Sequence, residues 1–196
     1  VGVLTGEDKG INSDYVDLRP ISKQNKIPVM CTQNINSHQV IKWIHELSPD
    51  IIFCIGWSRL ISNKILQIPP MGIIGYHPAA LPMNRGRHPL IWALVLGLKK
   101  TASTFFFMDA EPDSGDILDQ RSIKITEHDD AASLYAKVIS IAKEQIQEII
   151  PSLLNGSFTR SPQKYSESNL WRKRGYKDGQ IDWRMSAKSI HNLVRG

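Results

Sequence analysis

Short apolar segments alternate with stretches of helical periodicity in the first half of the chain. Four segments are rich in Ile and Val and end in turn residues, which predicts β-strands over residues 1–5, 27–32, 50–57 and 71–77. Ser37 is a suitable N-cap for a helix over 38–47, whose apolar positions share one face. A shorter helix is predicted over 59–67, and Pro89 suits the first turn of another that extends to about Leu98. Strands that alternate with helices predict a parallel sheet covered by helices.

The pattern changes after residue 100. Residues 101–108 and 117–125 are predicted strands, and a 3.6-residue period over 129–154 predicts a long helix, which Pro151 should kink or end early. Residues 155–184 are polar and aromatic without a clear period, so we expect loops with a hairpin. A final helix is expected from Ser186 or Ala187 to Arg195.

The first residues are already strand-like, and there is no initiator Met. We therefore expect the chain to begin inside a domain. Residues 1–155 are predicted to form a core that lacks its opening strand–helix unit. Residues 156–196 are predicted to form a loop or hairpin and the start of a helix that leads to a missing C-terminal part.

Composition narrows the class of protein. With 196 residues, 41% hydrophobic and 22% charged, the chain fits one globular domain and is not typical of a disordered protein. Its longest apolar runs, 51–57 and 90–98, are far shorter than the ~20 residues that span a bilayer. No secretory segment opens the chain, so a cytoplasmic location without membrane contact is expected. Cys31 and Cys54 are interpreted as buried free thiols rather than a disulfide, and no spacing predicts a metal site.

The net charge of +5 favours an anionic partner. The densest basic stretch covers residues 171–177. It is either a solvated loop or a contact for phosphate or nucleic acid, and the sequence leaves both interpretations open.

Two loops carry residues suited to catalysis. His77 is the last residue of a predicted strand and precedes a stiff loop with two prolines, at the end of the strand where ligands bind in open α/β sheets. It could act in general acid–base chemistry or simply cap the strand. The second loop, residues 108–117, holds four acidic residues without the spacing of a calcium loop. A carboxylate in it could orient the histidine if the two loops meet in space.

Residues 51–125 closely resemble the folate-dependent formyltransferase family. Its members share a strand that ends Asn-x-His-Pro, then Leu-Pro and Arg-Gly, and later an Asp-x-Gly after a strand of the form Thr-x-x-x-Phe/His-x-Met-Asp. The matching positions here are His77-Pro78, Leu81-Pro82, Arg85-Gly86, 104–109 and 113–115. The resemblance implies an α/β fold, the Rossmann-like formyltransferase fold, with a mostly parallel sheet and helices on both faces.

The resemblance also implies an enzyme that uses 10-formyltetrahydrofolate as formyl donor, with His77 and Asp113 as catalytic residues. In it, His77 would stabilise the oxyanion formed when an amine attacks the formyl carbon, and Asp113 would help to remove the proton. The folate pocket would map to two segments, the second through its backbone: Ser58, Arg59, Leu60 and Ile61, and Asp109, Ala110, Glu111, Pro112 and Asp113.

One position departs from the family pattern. The Asn that lies two residues before the histidine is Gly75 here, and Gly has no side chain to polarise the formyl oxygen. Three explanations are open: Asn84 supplies the amide, a water fills the space left by the side chain, or the chain is a weakly active or binding-only relative.

Arg-Gly-Arg at 85–87 resembles the sugar-nucleotide branch of the family. The resemblance therefore implies transfer of a formyl group to the amine of a nucleotide-linked amino sugar, as a step of lipopolysaccharide biosynthesis. It also implies that Tyr76, Arg85 and Arg87 face the substrate. Sugar-branch relatives also suggest a homodimer. Methionyl-tRNA formyltransferase is the alternative, although nucleic-acid binding is not favoured.

Overall fold

The computed structural model describes residues 1–6, 15–57 and 59–196. The chain divides into two compact units, Val1–Ile52 with Ser58–Ile73, and Phe53–Trp57 with Ile74–Gly196. Each unit is described by itself below.

The first unit contains a parallel pair of strands and three helices. Strands β1 (Val3–Thr5) and β2 (Val29–Cys31) pair in parallel, as the strand–helix alternation predicts. Helices α1 (Arg19–Gln24), α2 (His38–Leu47) and α3 (Asn63–Leu66) complete it. Helix α2 has the predicted bounds, because Ser37 accepts a hydrogen bond from the Val40 N–H and so caps the first turn. Val40 and Ile44 on the predicted apolar face are buried.

The helix predicted over 59–67 is shorter than expected. Ser62 has an extended backbone and precedes the first helical residue, so α3 begins only at Asn63. The segment before it is held in a non-helical form by Asn36, whose side chain donates to the Leu60 carbonyl (3.0 Å) and accepts from the Ser62 N–H (2.8 Å). Side-chain bonds of this kind compete with the helical ones.

The second unit is built on a sheet with the strand order β3-β4-β6-β7 within the described residues. Its strands are β3 (Ile52–Cys54), β4 (Ile73–His77), β6 (Lys100–Phe107) and β7 (Ile117–Lys124), and the first residues of β3 and β4 belong to the first unit. Strand β6 pairs antiparallel with both β4 and β7. Every residue of β6 after Lys100 is buried, which suits a central strand. The predicted α/β class is confirmed, and the sheets combine parallel and antiparallel pairs.

Two helices pack on this sheet. Helix α4 (Pro89–Val95) begins at the predicted proline, and α5 (Ala131–Leu154) continues through Pro151, so the prediction that it ends early at that residue is wrong. A core cluster joins α4, α5 and β7 through Leu94, Ile123 and Val138. The polar Gln145 is also fully buried on α5, which an apolar pattern does not reveal.

The segment after α5 does not form the predicted hairpin. Strand β8 (Leu170–Trp171) instead pairs in parallel with β5 (Arg85–Gly86), which lies far earlier in the chain. Single 3₁₀ turns occupy Tyr165–Glu167 and Tyr176–Gly179. Helix α6 (Ala187–Arg195) follows its Ser186 cap as predicted.

Both cysteines are free thiols, as interpreted from the sequence, but both are half-buried and not buried as that interpretation had them. Burial raises the pKa of Cys54 to about 11, so its thiol stays protonated at neutral pH. In the described part of the chain, no helix combines the length and apolar character needed to cross a membrane.

Candidate active site

His77 is the last residue of β4 and is buried, with 5% of its surface exposed. Its Nε2 lies 2.8 Å from the carbonyl oxygen of Asn84. A carbonyl can only accept, so Nε2 carries the hydrogen and donates it. The second ring nitrogen, Nδ1, lies 3.7 Å from Oδ2 of Asp113. One ring nitrogen therefore anchors the imidazole, and the other faces the carboxylate.

Asp113 is presented by the acidic loop between β6 and β7. Its backbone is in the left-handed region, with φ of +57°, and its Oδ2 accepts a hydrogen bond of 2.9 Å from the Gly86 N–H. Two residues later, a Cβ at Gly115 would lie 1.9 Å from the Phe107 carbonyl oxygen, so only glycine fits there. The two loops that the sequence analysis required to meet do meet, and they bring His77 and Asp113 together.

Gly75 is closed off by its neighbours on β6 and the loop that follows. A Cβ there would lie 2.8 Å from Cζ of Phe106 and 2.9 Å from Cγ of Met108. Gly75 and Phe106 are register partners across the two antiparallel strands. The position of a Cβ at residue 75 is therefore crowded by an aromatic ring and a thioether chain. An Asn at this position would therefore crowd these two side chains, and the explanation that places a water there stays a prediction.

The main chain of Asn84 contacts the side chain of His77. Its backbone is left-handed, with φ of +65°, its carbonyl anchors His77, and its N–H donates to the side chain of Asn169. Asn84 is only half-buried. Its side-chain amide is thus carried on a main chain that contacts the His77 ring directly.

Arg85 does not occupy the substrate-facing position predicted for it. Only 6% of its surface is exposed, and its guanidinium donates to Oε1 of Gln163 at 2.7 Å and 3.3 Å. It also lies 5.8 Å from the ring centroid of Tyr165. The Arg85 guanidinium is therefore engaged in contacts within the protein. Arg87, by contrast, is exposed.

Tyr76 also faces away from the predicted substrate side. Successive residues of a strand point to opposite faces, so Tyr76 lies on the face opposite Gly75 and His77. Its ring packs against the core cluster and Phe105, and its hydroxyl pairs with Oγ of Ser103 at 2.9 Å. Burial raises the pKa of Tyr76 to about 12. These contacts assign Tyr76 to the core and do not support substrate binding.

The residues predicted to bind folate fall into two groups. Ser58 lies outside the described residues, Arg59 donates to the Gln33 carbonyl, Leu60 is 69% exposed and Ile61 is half-buried. Residues 109–112 form an exposed loop, where Oδ1 of Asp109 accepts from the Glu111 N–H at 3.0 Å. Their role in folate binding stays a prediction.

A basic and aromatic patch lies next to the Arg-Gly-Arg loop. The Trp92 and Trp171 rings are 6.4 Å apart, and the guanidinium of Arg174 lies 4.9 Å from the Trp92 ring centroid. His88 precedes α4, and its pKa is lowered by burial and then by the positive charges of Arg87, Lys173 and Arg174. Because β5 pairs with β8, two basic stretches that are distant in sequence form one patch.

Gln163 was missed by the sequence analysis. Its side chain donates to the carbonyls of Asp113 (3.0 Å) and Gly115 (2.7 Å) and accepts from Arg85. It lies in the stretch without periodicity, so no local pattern marks it. No group of three or more His, Cys, Asp or Glu that could hold a metal ion is found among residues 1–6, 15–57 and 59–196.

Fold and site together define an α/β domain with a histidine–carboxylate pair at the end of an inner strand, a layout suited to moving a group onto a nucleophile. A family model described as formyl transferase matches residues 7–150. The chain therefore belongs to the formyl transferase family.

Relatives agree with this assignment. The bifunctional polymyxin resistance protein ArnA of Wigglesworthia glossinidia brevipalpis is 38% identical over 181 residues, which are 92% of this chain but 28% of that protein. The chain thus spans about a quarter of this curated relative.

Solved structures show the same fold. WlaRD, a sugar 3N-formyltransferase crystallised with dTDP and 5-N-formyl-THF, matches with a TM-score of 0.76 at 21% identity over 99% of this chain and 68% of its own. PseJ of Anoxybacillus kamchatkensis, crystallised with a UDP-linked formamido sugar and tetrahydrofolate, matches with a TM-score of 0.64 at 20% identity over 87% of this chain and 84% of its own. At such identities the matches establish the fold alone.

Proposed function

We propose that this chain is the catalytic part of an enzyme that transfers a formyl group from 10-formyltetrahydrofolate to the amine of a nucleotide-linked amino sugar. The observation that carries the proposal is the buried His77, with Nδ1 3.7 Å from Asp113, at the positions that match the family motif. Membership of the formyl transferase family supports the donor and the reaction class.

The hydrogen bonds of His77 decide how it acts. Nε2–H is used by the Asn84 carbonyl, so only Nδ1 can exchange a proton with a reacting group. In the neutral ring Nδ1 is an acceptor, and it becomes a donor to the oxyanion only after it is protonated. We therefore propose that Nδ1 receives the proton that the attacking amine releases as it bonds to the formyl carbon, with the Asp113 carboxylate stabilising the resulting imidazolium. The imidazolium then gives this proton to N10 of the folate as the bond between N10 and the formyl carbon breaks, which releases tetrahydrofolate.

Asp113 is suited to this role because its carboxylate is held in place while part of its hydrogen-bonding capacity stays unused. Its carboxylate accepts one hydrogen bond from the Gly86 N–H, and its side chain is 19% exposed. Oδ1 has no partner among the described residues that would prevent it from contacting the amine. One oxygen can fix the side chain while the other meets the substrate.

Polarisation of the formyl oxygen is proposed to come from the side-chain amide of Asn84. Phe106 and Met108 crowd the position of a Cβ at residue 75, so the usual Asn would not fit there unless these side chains moved. Asn84 belongs to the main-chain segment that anchors the histidine. Loss of one such donor typically costs about 10²–10³ in rate, so a substitute matters for an active enzyme.

The acceptor class is proposed from the relatives and the charge pattern. WlaRD is a sugar formyltransferase crystallised with dTDP, and PseJ was crystallised with a UDP-linked formamido sugar. The patch formed by Arg87, His88, Lys173 and Arg174 could neutralise the diphosphate of such a substrate. Arg87 is thereby retained as a substrate residue, whereas Arg85 is not.

A transfer assay tests the proposal. The complete protein that contains this chain is incubated with 10-formyltetrahydrofolate and a panel of UDP-, dTDP- and GDP-linked amino sugars, with formyl-acceptor tRNA as a separate arm. Formylation of at least one nucleotide sugar is expected, and formylation of none would sink the proposal. Transfer to tRNA alone would identify a methionyl-tRNA formyltransferase, and its binding would weaken steeply with salt. Folate binding without transfer to any acceptor would identify a binding-only relative.

A homodimer and a cytoplasmic location also stay predictions. Sedimentation of the purified chain over a range of concentrations would test the dimer.

A further inference from the structure

A closed ring of contacts begins at the carboxylate of Asp113 and returns to the main-chain carbonyl of the same residue. The carboxylate accepts from the Gly86 N–H, and Gly86 is covalently joined to Arg85. The Arg85 guanidinium donates to the side-chain oxygen of Gln163, and the Gln163 amide nitrogen donates back to the main-chain carbonyl of Asp113. The ring thus links the Arg-Gly loop, the acidic loop and the segment after α5.

Each member of the ring is constrained by burial or by its backbone. Arg85 is 6% exposed, so it would be costly to leave its guanidinium without an acceptor. Asp113 has a left-handed backbone, which a non-glycine residue adopts only when its surroundings enforce it. Gln163 provides that constraint, since its amide donates to the carbonyls on both sides of Ser114, those of Asp113 and Gly115.

We infer that Gln163 is a positioning residue for Asp113, and that the working catalytic unit therefore extends beyond the residues that match the family model. That match ends at residue 150, whereas Gln163 and β8 lie after it. The segment holds the catalytic carboxylate at its distance from His77. The catalytic part of this inference rests on the proposed function.

The geometry favours this role over general support of the fold. Gln163 places both ends of its amide on active-site loops, with Oε1 on the residue before Gly86 and Nε2 on the loop of Asp113. Its loss should therefore displace the carboxylate while leaving the central sheet intact.

The test uses the full chain with Gln163→Met, which keeps the side-chain length but removes every hydrogen bond. Gln163→Glu is the second variant, because it can still accept from Arg85 but cannot donate to the two carbonyls when ionised. Gln180→Met is the matched control, since Gln180 is exposed in the same segment and its side chain has no described contact. We expect kcat to fall about 10- to 100-fold in both Gln163 variants, with KM for donor and acceptor unchanged, and Gln180→Met to behave as wild type.

A second readout does not depend on activity. Hydrogen exchange of the Gly86 amide reports directly on its bond to the Asp113 carboxylate, and we expect it to quicken about tenfold in Gln163→Met. Exchange of the Thr104 amide in the central strand β6 should not change.

The outcomes separate the two claims. Wild-type kcat and Gly86 exchange in Gln163→Met would overturn the inference, as would equal acceleration at Gly86 and Thr104, which would reveal a global loss of stability. If the wild-type chain transfers formyl to no acceptor, the proposed function fails, and Gly86 exchange still decides whether Gln163 positions Asp113.

Discussion

Two aspartates in the second unit, Asp113 and Asp129, differ in the number of hydrogen bonds that their carboxylates accept. Asp129 is buried, and its carboxylate accepts from the Thr126 N–H (2.6 Å), the Thr126 hydroxyl (2.8 Å), the Ser133 hydroxyl (3.1 Å) and the Lys137 ammonium (2.7 Å). Asp113 accepts one N–H bond and faces a histidine at 3.7 Å.

The Asp129 carboxylate uses its hydrogen-bonding capacity within the protein, whereas the Asp113 carboxylate keeps part of it unused. At Asp129, burial alone would raise the pKa, but the bonds from Lys137, Thr126 and Ser133 outweigh it and hold the pKa well below its usual range. Such a carboxylate has no capacity left for a substrate, and it fixes the start of α5. Asp113 is held through its main chain by Gln163, so its carboxylate keeps capacity for chemistry. A loop can therefore be ordered through its carbonyls while its charged group stays available.

The largest expected effect comes from Asp113→Asn. An amide cannot stabilise an imidazolium or take a proton, so kcat should fall about 10²–10⁴-fold while the melting temperature stays near that of wild type. Steady-state kinetics and a thermal melt measure the two quantities. Near-normal turnover would show that the carboxylate is not catalytic.

Asp129→Asn should give the opposite result. It replaces an acceptor for four donors with a neutral amide and leaves Lys137 without its anionic partner, so we expect a loss of about 2 kcal/mol in unfolding free energy. Turnover per folded molecule should be retained. Urea unfolding, followed by assays normalised to folded protein, checks both expectations. A large fall in turnover would show that Asp129, like Asp113, is needed for the reaction.

Gly75→Ala probes the apolar side of the site. The added methyl would contact Phe106 and Met108 below normal distances, so a loss of about 1–2 kcal/mol in unfolding free energy is expected. In a Phe106→Leu background, Gly75→Ala should cost less unfolding free energy than it costs in the wild-type chain. A Gly75→Ala variant as stable as wild type would mean that the ring moves aside easily and that an Asn could be accommodated.

The smallest expected effect is in the acid dependence of stability. The pKa of Asp129 is lowered in the folded protein, so its contribution is fully present above the unfolded value of about 3.9 and is lost as pH falls through the lower folded value. Denaturant melts from pH 5 downwards should therefore be less steep in pH for Asp129→Asn than for wild type. Equal slopes would remove Asp129 as a source of acid sensitivity.

Much of the fold could be predicted from local patterns. The bounds of α2, the start of α4 at Pro89 and the cap of α6 follow from capping and proline rules that act within one turn. The helix over 59–67 failed because Asn36, distant in sequence, holds the preceding segment in another form. The hairpin after α5 failed because β8 pairs with β5 instead.

The sequence by itself determined the family, the reaction class that this implies, and the candidate pair His77 and Asp113, because motif order and residue chemistry are properties of the chain alone. It also marked Gly75 as a departure. Only the tertiary structure decided that Phe106 and Met108 close the space beside Gly75, that Arg85 is buried, and that Gln163 holds the loop of Asp113. These are contacts between residues distant in sequence, and strand pairing and packing bring them together without leaving any periodic signal in the chain.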